Sequence, residues 1–114
     1  MIEPRLASFV QVSAFIRLAQ AEGGFAAVLR KGDPVAGAIM LIGLIRGQNP
    51  VVFERFPSLE GGSSWQQVNM QASENEADIT AMWQKRAGRD PDLWVIELDV
   101  VSTERLAGLL TAGS

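Results

Sequence analysis

From Ala36 to Ile45 (AGAIMLIGLI) the chain carries no polar side chain, and this run limits what it can fold into more than any other feature. A strand that is apolar on both faces has to be covered on both faces. A buried helix fits the same length, but Gly37 and Gly43 would each weaken a helix by about 1 kcal/mol relative to Ala. In a strand they suit a bulge or a close backbone approach. The run therefore predicts a central strand. Before it, Phe25, Ala27 and Leu29 alternate with Ala26, Val28 and Arg30, which reads as a second strand. Lys31-Gly32-Asp33-Pro34 is then the turn that joins the two as a hairpin.

The other segments are expected to pack on this hairpin or pair beside it. Arg5–Glu22 reads as a helix, with Leu6, Phe9, Val12, Ile16 and Ala19 at helical spacing and Gly23 as its stop. After a turn at 46–50, Val51–Phe56 is a strand, Pro57–Ser64 a loop and Trp65–Met70 a weaker strand suited to a sheet edge. Ser73 and Glu76 form a capping box for a second helix, which ends near Gly88 and Pro91. Asp92–Val100 is the last strand, and Ser102 caps a short C-terminal helix carrying Leu106, Leu109 and Leu110. The order is α-β-β-β-β-α-β-α. It predicts one domain over 1–114, an α+β two-layer sandwich. Its five-stranded, mostly antiparallel sheet has the order 5-1-2-3-4, and both long helices lie on one face.

Composition excludes several classes. The 114 residues contain neither cysteine nor histidine, so disulfides, thiolate catalysis, thiolate metal sites and a histidine switch are absent. A net charge of −3 speaks against nucleic acid as a partner. The longest apolar run is about half a membrane span. Met1-Ile2-Glu3-Pro4-Arg5 is not a basic region followed by an apolar one. A soluble, cytoplasmic protein is expected. No phosphate loop, G-x-S-x-G or zinc motif occurs, and no cofactor or metal is assigned.

What remains are charged turns and one tryptophan. Asp90-Pro91-Asp92 holds two acids on a rigid turn, where they serve either as hard-cation or acid/base groups or as turn and strand-start residues. Asp33 has the same two readings. The basic pairs Arg30-Lys31 and Arg86/Arg89 flank these turns, either as anion ligands or as a solvated rim. Strand directions bring the Lys31–Pro34 turn, the Gly61-Gly62 loop and the Arg89–Asp92 turn to one end of the sheet. Arg30, Lys31, Asp33, Arg89, Asp90 and Asp92 are thus the candidate surface site. Trp65, among polar neighbours, is the candidate interface residue.

The stretch GGFAAVLRKGDPVAGAI at 23–39, with RDPDLWVIELD at 89–99, resembles a small alphaproteobacterial family known only as a domain of unknown function. That resemblance implies a bacterial, cytoplasmic protein and carries over no activity and no catalytic residue. The reading that follows is a small non-catalytic binding or assembly module that self-associates, with a dimer covering the second face of the central strand. The alternative is a small-anion binder or enzyme using the turns around Asp33 and Asp92.

Overall fold

In the computed structural model, which describes residues 6–68 and 75–112, the elements run in the expected order. They are α1 (Ser8–Ala21), β1 (Phe25–Arg30), β2 (Ile39–Ile45), β3 (Gln48–Pro57), β4 (Ser63–Gln67), α2 (Glu76–Arg89), β5 (Trp94–Val100) and α3 (Thr103–Ala112). The α+β class holds. The apolar run behaves as its composition demands: Ile39, Met40, Leu41 and Ile42 are all buried, none more than 8% exposed. Alternation sends Ile39 and Leu41 into one core, with Trp94, Ile96 and Leu98 of β5. Met40 and Ile42 enter a second core on the opposite face, with Leu93 and Val95.

The sheet order is β1-β5-β2-β3-β4, which corrects the expected 5-1-2-3-4. Neighbours 1 and 5, 2 and 3, and 3 and 4 pair antiparallel as expected. The β1–β2 hairpin does not form. Strand β5 lies between the two, antiparallel to β1 and parallel to β2, so the sheet is mixed. Burial gives the reason. β5 is apolar along the whole of one face and, with Leu93 and Val95, at the start of the other; Leu93, Trp94, Val95, Ile96 and Leu98 are nearly all sealed from solvent. Two strands with this much to bury gain most from adjacent interior places, because each covers the other's flank. β1 has less to bury. Ala26 packs against a core, whereas Phe25, Ala27, Val28 and Leu29 are exposed, which suits an edge.

The helix layout is the second correction. Val12, Phe15 and Ala19 of α1 and Leu106 and Leu109 of α3 cover one face. Ile79 and Ala87 of α2 cover the other. Both faces of β2 and β5 are thereby covered within one chain, so the two long helices do not share a face. The buried side of α1 also differs from the expected stripe. Ser8, Gln11, Val12, Phe15 and Ala19 point inward, while Leu6 and Phe9 are 63% and 50% exposed. Ser8 holds the helix in this orientation, its Oγ donating to Gly37 O at 2.6 Å and its N to Val35 O at 3.1 Å, while Gln11 Nε2 is satisfied locally by Leu6 O at 2.6 Å. Buried polar groups satisfied in this way displace apolar ones from the inner face.

The caps follow local chemistry. Ser102 Oγ accepts from Arg105 N at 3.2 Å, as expected. At α2 the cap is Asn75, whose Oδ1 accepts from Asp78 N at 2.9 Å. Glu76 is therefore the first helical residue, and Ser73 of the expected capping box lies outside the described residues. Arg46 and Gly47 both have positive φ (51° and 75°), the requirement of the two-residue hairpin turn that joins β2 to β3.

Candidate functional site

The segment from Lys31 to Ala38 does not turn β1 back on itself; it steps over the head of β5. Asp33 N donates to Asp92 O at 3.0 Å, and Trp94 N to Ala38 O at 2.8 Å. The indole Nε1 of Trp94 donates to Asp33 O at 2.6 Å. Glycines make the approach possible. A β-carbon at either Gly32 or Gly37 would fall inside contact distance of the Asp92 carbonyl oxygen, a backbone atom with no freedom to retreat. The Lys31–Pro34 and Arg89–Asp92 turns are thus locked together.

Their charged side chains are used mainly on backbone. Arg30 donates to Pro91 O at 3.0 Å and Leu93 O at 2.6 Å. The Asp33 carboxylate accepts from Val35 N at 3.0 Å and Ala36 N at 2.8 Å, and Asp90 accepts from Asp92 N at 3.2 Å. Lys31, Arg89 and Asp92 are exposed. None of the six residues forms an ion pair with another among the described residues. The Ser58–Gly62 turn closes on itself, Ser58 N donating to Gly62 O at 3.0 Å.

Beside this clasp lies a groove of about 610 Å³. Its origin is a mismatch of strand lengths. β2 pairs with β3 as far as Met40 and Glu54, whereas β4 stays with β3 to Pro57 and Ser63. The end of β3 overhangs because the chain before β2 is drawn toward α1 and β5 by the Ser8–Gly37 and Trp94–Ala38 bonds. One wall carries Trp65, whose ring meets Phe15 edge-on at 5.5 Å and 81°; the Arg55 guanidinium lies 4.6 Å above it. Val35–Ile39 line the groove as well. At the far end Arg86 pairs with Glu54 at 2.6 Å. Leu6, Val35 and Phe56 form an exposed apolar rim. This size and mixture match clefts that hold small ligands.

Trp65 is half-buried and packed on the first core, so the candidate interface residue is a groove wall and not a free platform. Trp83 backs the second core, and its Nε1 finds no acceptor among the described residues. On the same sheet face, burial pushes the Glu97 carboxyl above the ordinary carboxylate range, with Glu76 and then Asp99 adding to the shift. Among the described residues no cluster of carboxylates is placed to hold a metal ion.

The profile of a family described as "Protein of unknown function (DUF1491)" matches residues 6–108. The chain belongs to this family. A DUF1491 protein from Caulobacter crescentus CB15 has a similar crystal structure: 32% identity, 86% of this chain and 91% of that one covered, TM-score 0.78. Its solution structure gives 33%, 86%, 88% and 0.72. A solution structure from A. tumefaciens covers 95% of this chain and 94% of that one at 30% identity, with TM-score 0.71. These are alphaproteobacteria, the origin that the resemblance implied. No curated protein matches the chain. Family membership thus confirms the fold and the bacterial origin and brings no catalytic assignment.

Sequence reasoning located the clasp and missed the groove. The groove joins the start of α1, the approach to β2, the end of β3 and the C-terminal part of α2. Trp65 in a polar context was its one legible sign.

Proposed function

We propose that this protein is a non-catalytic binding module of the cytoplasm whose ligand occupies the groove between Val35–Ile39 and the end of β3. The observation that supports this reading is the overhang of β3, which leaves an open slot of ligand size beside a fixed tryptophan and two arginines. The wall is preorganised, since Trp65 is held by Phe15 and Arg55 and the main chain of Val35–Ile39 is held by Ser8. A preformed site spends less binding energy on ordering.

A fragment library screened by two-dimensional NMR tests it. Binders are expected to shift the Trp65 indole and the Gly37 amide together. Ala36→Trp, an exposed position in the groove wall, should abolish those shifts. Binders that act elsewhere, or that ignore Ala36→Trp, would overturn the reading. Cell fractionation tests the location. The second reading, an anion site or active site on Arg30, Lys31, Asp33, Arg89, Asp90 and Asp92, is supported by exposed Lys31 and Arg89 beside the clasp. Titration with inorganic phosphate, and its loss in Arg89→Ala at unchanged stability, tests that reading.

A further inference from the structure

We propose that a second copy of this chain joins the sheet along the outer edge of β1, the two β1 strands running antiparallel about a two-fold axis. On its inner side β1 pairs with β5. Among the described residues no backbone bond is made from its outer side. An edge strand of this kind is a template for another strand, and proteins usually guard it with charge or proline. Phe25–Leu29 (FAAVL) carries neither; the one charge of β1 is its last residue, Arg30, which donates to Pro91 O and Leu93 O, and its register shifts between Val28 and Arg30. The opposite edge strand, β4, reads SSWQQ and offers no comparable apolar run. Phe25, Val28 and Leu29 are 74%, 43% and 40% exposed. The α2 core contains no residue of β1, so the sheet face over Phe25 and Ala27 is open as well.

Charge and size select a second copy as the occupant. Glu22 precedes β1 and Lys31 follows it. In an antiparallel self-pair centred on Ala27, Phe25 lies opposite the partner's Leu29, and Ala26 opposite the partner's Val28. The partner's Lys31, just past the end of its β1, then comes to the end of the pair at which Glu22 precedes β1. Asp99, in register with Phe25 on β5, adds negative charge at the same end. Two-fold symmetry makes every one of these contacts twice: Phe25 meets Leu29, Ala26 meets Val28, and Ala27 meets its own copy on the axis. Addition of a parallel copy would set Lys31 against Lys31. The result is a continuous ten-stranded sheet, and it is independent of the groove.

Sedimentation of the whole chain up to about 100 µM, the range of weak specific interfaces, tests the proposal. The mass should approach twice the 12.3 kDa of one chain, and raised salt should weaken the association. Ala27→Lys places a charge on the two-fold axis opposite its own copy. It should weaken association at least tenfold without changing the melting temperature, because Ala27 is exposed. Lys31→Glu should weaken it less, and Glu22→Lys combined with Lys31→Glu should recover it. Should Ala27→Lys fail to fold, the charge pair and concentration-dependent protection of the β1 amides against hydrogen exchange carry the test. A monomer throughout this range, or a dimer indifferent to both Ala27→Lys and Lys31→Glu, would overturn the proposal.

Discussion

The two sides of the Lys31–Ala38 segment make a natural comparison. Toward β5 the segment is closed: two glycines let its backbone touch Asp92, and Asp33, Arg30 and Trp94 spend their hydrogen bonds on main chain. Toward β3 it is open: the same residues stand away from the strand and leave a groove. The difference is one of satisfied backbone. Where the segment crosses a buried strand, every polar group must find a partner. Where it borders a strand end that is already paired with β4, it has no such obligation. Charge density in the sequence marked the closed side, because turns that fasten backbone are rich in Asp, Arg and Gly. The groove proposed to bind a ligand lies on the open side.

The largest effect should come from the closed side. Gly37→Ala or Gly32→Ala drives a methyl group into the Asp92 carbonyl, and overpacking against fixed backbone costs about 3 kcal/mol or prevents folding. A urea midpoint within error of wild type for both variants would dissolve the clasp. Next is Trp65→Ala on the open side, which removes half-buried area and the edge contact with Phe15. It should cost about 2 kcal/mol and enlarge the groove, so fragments that bind wild type should lose affinity. Unchanged affinity would separate Trp65 from binding.

Arg30→Ala removes two bonds to carbonyls and should cost about 1 kcal/mol, whereas Arg89→Ala should change stability by less than about 0.5 kcal/mol. Equal costs would mean that the two arginines share one role. The smallest effect is expected at Glu97. Its raised pKa means that the stability tied to the proton is complete below the ordinary carboxylate range and is lost as pH rises through the folded-state value. Glu97→Gln should therefore stabilise by a few tenths of a kcal/mol at about pH 7, with the gain gone near about pH 4. A loss of stability at neutral pH would show that the Glu97 charge is favourable.

Periodicity and punctuation were enough for the element list: the Ile39–Ile42 run, the alternation around Trp94 and the Ser102 cap all act within a few residues of themselves. The meeting of the Asp33 and Asp92 turns was legible too, since antiparallel neighbours β1 and β5 bring their joined ends together in either strand order. The place of β5 was not legible. Alternation shows that a strand has two apolar faces, but it is blind to which flank another strand will take. The side covered by α2 was hidden for the same reason, because α2 would bury Ile79 and Ala87 equally well on either face.

Local chemistry in this chain thus determined eight elements, a two-faced central strand and a turn rich in glycine and aspartate. The tertiary structure alone decided that β5 separates β1 from β2, that helices cover both faces, and that β3 outruns β2 to leave a groove. Those outcomes depend on competition among distant apolar surfaces for the same buried space. That competition is settled by total area removed from water, a quantity that no short window of residues contains.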